Sequence, residues 1–189
     1  MSSYTVIFDA CVMYPAPLRS YLMYLANTGL FRARWTNQIH DEWMRNLLAN
    51  NPSIKQEQLE RVKDLMNANV PDCLVEGFEP LIDGITLPDV DDRHVVAGAI
   101  KGQAESIITF NLKDFPSCEL EPLGLSAIHP DEFLCDMFEL DSSSCVKAAQ
   151  QQRASLRNPT MTQEEFLACL QKQKLPSFVS KLKSFALML

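Results

Sequence analysis

Tyr4-Thr5-Val6-Ile7-Phe8 is a short β-branched and aromatic run that stops at Asp9 and predicts a buried strand. After Pro15 and Pro17, Leu18, Leu22 and Leu25 recur at helical spacing, which predicts a helix over 18–27 with Gly29 as its stop. Leu30 to Trp35 reads as a second strand. Thr36 is placed to cap a helix to about Asn50, with Ile39, Trp43 and Leu47 on one face. Ser53 and Gln56 have capping-box spacing, predicting that another helix opens there and runs to about Asn69. Residues 71–88 mix turn formers with short apolar pieces and fix no element.

From Asp91 a helix is predicted to about Gln103, then a strand over Ser106-Ile107-Ile108-Thr109 and a turn from Asn111 to Phe115. A short strand near 126–128 and a helix over 131–138 follow. Strands alternating with helices imply an α/β fold, a parallel sheet covered on both faces. Beyond Leu140 the strand pattern ceases, and helices are expected over 142–156 and 162–173, the second opened by Thr162-x-x-Glu165. Pro159 and Pro176 punctuate this segment. The expected division is an α/β domain over 1–139 and a helical extension over 140–189, packed on the domain or on a partner.

Composition sharpens this reading in three ways. With 189 residues and 47% hydrophobic positions, the chain can bury a sizeable core. Met1-Ser2-Ser3-Tyr4 has no basic leader region and no stretch is long enough to span a bilayer, so a cytoplasmic protein without membrane association is expected. The six cysteines form no CxxC pair and have no histidine at zinc spacing, so they read as reduced, buried small hydrophobes. The net charge of −7 is uneven: residues 1–139 hold 10 Lys/Arg against 21 Asp/Glu, net −11, whereas 140–189 hold 7 against 3, net +4. An acidic body suits a site that collects cations, and a basic tail suits a polyanion.

The carboxylates carry the chemistry. Ligands of open α/β sheets gather at the carboxyl ends of the strands, where Asp9, Asn111 and Asp114 are all expected. Among Asp89, Asp91 and Asp92, helical phase selects Asp92, because Val95, Val96, Ala99 and Ile100 follow it on one stripe. Asp91 then serves as the helix N-cap and Asp89 as a loop residue. Glu42 borders the Ile39–Trp43–Leu47 face, and taken alone it reads as a solvated glutamate beside Asp41. Four carboxylates within ~5 Å of one another would repel by roughly 3 kcal/mol per pair at an effective dielectric of about 20. A hard divalent ion relieves that cost, and all-oxygen ligands select Mg²⁺ or Mn²⁺. Carboxylates, such an ion and a phosphate together indicate phosphoryl-ester hydrolysis.

Four motifs stand in the order found in PIN domains: Val6-Ile7-Phe8-Asp9-Ala10, Asp41-Glu42-Trp43, Asp92-Arg93-His94-Val95-Val96-Ala97-Gly98-Ala99 and Thr109-Phe110-Asn111-Leu112-Lys113-Asp114-Phe115. Over about residues 4–133 the chain resembles the VapC-type toxins of bacterial toxin–antitoxin pairs. The likeness is greatest to the branch with Tyr14-Pro15-Ala16-Pro17-Leu18-Arg19 after the first strand. The resemblance implies a PIN-like, Rossmann-like fold and an endoribonuclease whose acidic residues bind Mg²⁺ or Mn²⁺. Carried over position by position, it makes Asp9, Glu42, Asp92 and Asp114 catalytic and metal-binding, with Thr109 and Asn111 in support. It also implies an RNA substrate, a cognate antitoxin and a homodimer. The chain departs from the pattern at Cys11, where many relatives carry Ser, Thr or Asn, and at Asn111, where some carry an acid.

Arg45, Arg93, Lys101 and Lys113 flank these positions and read equally as phosphate contacts or ordinary surface charges. His94 reads as a structural or surface histidine, Trp35 and Trp43 as core, and Leu187-Met188-Leu189 as partner-binding or packed. Two other functions fit parts of the pattern. One is a non-catalytic RNA- or protein-binding module on a PIN fold. The other is a haloacid-dehalogenase-like phosphatase, whose chemistry wants a second Asp where Cys11 stands.

Overall fold

The computed structural model describes residues 4–189; Met1-Ser2-Ser3, on which the leader reading partly rests, lie outside the described residues. Four parallel strands form one sheet in the order β2-β1-β3-β4. They are β1 (Thr5–Phe8), β2 (Arg32–Arg34), β3 (Ser106–Ile108) and β4 (Ser126–Ile128). The two inner strands are buried throughout, their polar first residues Thr5 and Ser106 included, whereas β2 and β4 at the edges carry exposed residues. That is the burial expected of strands covered on both faces. Side chains alternate across β1: Ile7 points toward the helix that follows Asp92, while Phe8 meets Phe31 and Phe133 edge to face at 6.0 and 6.2 Å. Helices on both faces complete the PIN-like α/β arrangement.

Ten α-helices surround the sheet among the described residues. In chain order they are α1 (Ala10–Met13), α2 (Ala16–Ala26), α3 (Asn37–Asn50), α4 (Gln56–Asn69) and α5 (Arg93–Lys101). There follow α6 (Ser117–Leu120), α7 (Pro130–Leu140), α8 (Ser142–Ser155), α9 (Gln163–Gln171) and α10 (Pro176–Lys183). None of the described helices is long and apolar enough to cross a membrane.

Several boundaries differ from the sequence expectation, each for a local reason. The second helix begins at Ala16 because Pro17 fits a first turn, where its missing N–H is not needed. The capping box at Ser53 and Gln56 does not form; α4 starts later, and the Lys55 N–H donates to the Gln58 side chain at 3.0 Å. Asp91 is not an N-cap. Its N–H donates to Asp89 Oδ1 at 2.9 Å, and Asp92 holds the cap position. The segment 71–88 joins the sheet by one bridge, Trp35 to Leu74, flanked by Trp35 N to Cys73 O at 2.9 Å and Val75 N to Trp35 O at 2.8 Å. Pro176 opens a helix rather than merely ending one. Only Cys73 and Cys145 are buried, against the expectation of six buried thiols; Cys11, Cys135 and Cys169 are half-buried and Cys118 is exposed.

Trp35 and Trp43 are fully buried, and both indole N–H groups find partners. Trp43 Nε1 donates to His40 Nδ1 at 3.0 Å and Trp35 Nε1 to Asn67 Oδ1 at 2.7 Å. His40 lies 3.0 Å from the same Asn67 oxygen through Nε2. Burial drives the His40 imidazole down to about 4, so it stays neutral and satisfies both contacts.

The helices after Leu140 share the core of the body. Tyr21 of α2 donates to the Cys145 carbonyl at 3.0 Å, and its ring stands 5.2 Å from Phe178 of α10. Asp131 accepts from the Ser177 and Phe178 N–H groups at 3.1 and 2.8 Å, tying the start of α7 to the first turn of α10. The Thr162–Glu165 box opens α9 reciprocally.

Gly98 sets how closely α5 approaches the sheet. A Cβ there would stand 2.9 Å from Thr36 Cγ2 and 3.0 Å from Ile7 Cδ1. Gly98→Val should therefore cost about 1–3 kcal/mol by overpacking, seen as a lower urea midpoint with an unchanged slope.

Candidate active site

The register decides which residues share the carboxyl edge of the sheet. Phe8 pairs with Ile108 and Ile108 with Ile128, so Asp9, Thr109 and His129 emerge side by side. The Asp9 N–H continues the ladder to Ile108 O at 3.1 Å, and the Thr109 N–H to Ile128 O at 3.0 Å. At the end of β2 the same edge carries Thr36, whose hydroxyl caps α3 by accepting from the Ile39 N–H. Glu42 sits on α3, one and a half turns further on.

Asp9 is 3% exposed. Its Oδ2 accepts from Thr109 Oγ1 at 2.7 Å and from Cys11 Sγ at 3.0 Å. Both donors are themselves held: the Asn111 N–H donates to Thr109 Oγ1 at 3.0 Å and the Phe110 N–H to Cys11 Sγ at 3.3 Å. Burial pushes the Asp9 carboxyl above its ordinary range, against these hydrogen bonds, and the charge of Glu42 pushes the same way. Burial, then the neighbouring Asp9, also pushes up the Cys11 thiol, which keeps its proton and stays a donor. Cys11 thus serves as a clasp on Asp9.

Asp92, half-buried at the head of α5, is the centre of the cluster. Burial raises its carboxyl to about 7, and Asp9, Asp89, Glu42 and Asp114 all push in the same direction. Such pushes fade with distance, so acids from separate chain segments act on one side chain. Glu42 is not simply solvated beside Asp41. Its Oε2 lies 3.3 Å from Nε2 of His94, a residue 4% exposed at its side chain, and the His94 Nδ1 is buried without a partner.

The remaining residues singled out in the sequence take different places. Asp114 is half-buried and closes a short turn, its N–H donating to Asn111 O at 2.9 Å. Asn111 is exposed and acts through its N–H on Thr109. Arg93 follows Asp92 directly, half-buried, with a buried Nε that lacks a partner. Lys113 and Arg45 are exposed. Two contributors escaped the sequence reading. Asp89 lies in a loop, where no periodicity gives phase, and the Thr109 and Phe110 contacts that complete the Cys11 clasp arrive only once β3 lies beside β1.

The donor set suits a hard divalent cation, being all carboxylate oxygen with excess negative charge. Among the described residues, no three His, Cys, Asp or Glu side chains already stand in a ligating group. The acids are close enough to disturb one another without yet forming an ion's inner ring.

Residues 130–184, from the head of α7 through α10, match the VapC50 C-terminal domain family. The chain is also 37% identical over 90 residues to a Mycobacterium tuberculosis (strain ATCC 25618 / H37Rv) protein named "Putative ribonuclease VapC50". That match covers 48% of this chain and 53% of the relative, so the chain spans about half the length of the relative it matches. No solved structure matches at comparable stringency. Set beside the four motifs and the parallel sheet, these two matches make the chain similar to a VapC-type ribonuclease over about half its length, with residues 130–184 resembling the VapC50 C-terminal domain.

Proposed function

We propose that this chain is a Mg²⁺- or Mn²⁺-dependent endoribonuclease, the toxin of a type II pair restrained by a cognate antitoxin. The observation that carries the reading is Asp92 at the head of α5, whose carboxyl is raised to about 7 by burial first and then by Asp9, Asp89, Glu42 and Asp114. The ribonuclease name of the Mycobacterium relative supports RNA as the substrate class. Asp9, Glu42, Asp92 and Asp114 are the groups that would hold the ion. When bound, such an ion lowers the pKa of a coordinated water and offsets phosphate charge.

The chain's own residues do the positioning. Thr109 and Cys11 fix one oxygen of Asp9, so its carboxylate meets a substrate without reorganising. His94 holds Glu42 toward α5. Burial and its acidic neighbours hold the Asp92 proton up to about pH 7, and positive charge placed among these acids would lower that value. Arg93, Lys113 and Arg45 are the cations nearest in sequence to the cluster, and phosphate contacts are their role in this reading.

RNA cleavage should require Mg²⁺ or Mn²⁺, stop in EDTA, and fall about a hundredfold or more in Asp9→Asn and Asp92→Asn. Full-rate cutting by those variants, shown to be folded, would sink the proposal.

The same groups make stability depend on pH. Asp92 is raised in the folded chain from 3.8 to about 7, and Asp9 is raised too, so the folded state binds these protons more tightly than the unfolded state. That contribution is complete below about pH 4 and is lost as pH rises through about 7. In chelator-treated protein the thermal midpoint should fall across this window, and Asp92→Asn should flatten the fall. Added Mg²⁺ or Mn²⁺ should raise the midpoint more at the upper end than at the lower. A midpoint indifferent to the cation at every pH would contradict the assignment.

A further inference from the structure

The basic extension reaches the acidic edge of the sheet at one point. Lys174 lies between α9 and α10 with a left-handed backbone, φ 60°. Its Nζ stands over the Phe110 ring, 5.6 Å from the centroid. Phe110 follows Thr109 directly, and its N–H donates to the Cys11 thiol that clasps Asp9. The ring also packs edge to face on His129, at 5.2 Å. Phe110 and His129 both lie just past strand ends, so the ammonium of Lys174 stands at the same edge of the sheet as Asp9.

Two further facts bear on what that ammonium does. Among the described residues no carboxylate pairs with Lys174, and the side chain is exposed. The residue is nevertheless carried on a firm base, because Leu175 is fully buried and α10 is tied to Asp131. A cation resting on an aromatic face keeps most of its charge for a second partner. At the edge of a cluster that attacks phosphodiesters, the complementary group is a backbone phosphate of the same strand.

We infer that Lys174 is a substrate-positioning residue, holding a phosphate of the RNA strand whose neighbouring bond lies at Asp9 and Asp92, with Phe110 as its support. This rests on the nuclease reading above and assigns the basic tail a part in substrate binding.

The test uses the full chain carrying Asp92→Asn and a short single-stranded RNA of mixed sequence, with binding followed by anisotropy across a salt series. Lys174→Ala should weaken binding several-fold and make the salt slope shallower by roughly 0.7, the share of one phosphate on a single strand. Lys174→Arg should restore most of the affinity. Lys183→Ala, which removes one exposed charge elsewhere in the tail, should leave it unchanged. In the cleaving chain, Lys174→Ala should raise KM and spare kcat. Equal losses in the Lys174 and Lys183 variants, or a Lys174→Ala effect on thermal stability alone, would overturn the inference. Cleavage by the Asp92→Asn parent would instead overturn the nuclease reading, so the two failures are distinct.

Discussion

Like charges held together against their repulsion are the constraint around which this fold is organised. The parallel order β2-β1-β3-β4 brings strand ends to one edge, and the residues just past those ends include Asp9 and, a turn later, Asp114. Helices α3 and α5 add Glu42 and Asp92 from the side. Burial and these neighbouring acids together raise the Asp92 carboxyl to about 7, so the folded chain carries a cost there that grows as pH rises. The rest of the molecule must supply that strain. The unbroken core from β1 through the last helices does so, and the double clasp on Asp9 decides which oxygen is fixed.

The extension belongs to that supply. Residues such as Cys145, Phe166 and Phe178 are buried in the same core as the sheet. The matched VapC50-type segment begins within the α/β body, at Pro130, before the charge of the chain changes sign near Leu140. Composition and the family match therefore change at different places along the chain. The charge boundary marks where the surface changes character, and the core runs straight through it.

Much of the architecture could be read from the residues. The apolar runs at 5–8 and 106–108, the Thr36 cap and the Thr162 box are local signals, and the structure forms each of them. What escaped were features decided by non-local neighbours. Ser53 has the right spacing for a cap, but the chain turns two residues later. Asp91 and Asp92 differ by a single position, and the competition for the cap was settled by the Asp89 side chain capturing the Asp91 N–H. The acidic positions could be listed from the motifs, yet their mutual influence on Asp92 depends on loop geometry that no periodicity encodes. Glu42 shows this most plainly: the helical wheel puts it at a border, and only the approach of His94 from α5 gives it a direction.

Gly98 shows how distant such control can be. The missing side chain lets α5 settle against Ile7 and the methyl of Thr36, and the same helix carries Asp92 at its head, nearly two turns earlier. Depth of seating and placement of the acid are thus one mechanical variable. A methyl group added at the sheet face would press on the helix like a shim under a beam, disturbing the seat of Asp92 without altering any charged residue.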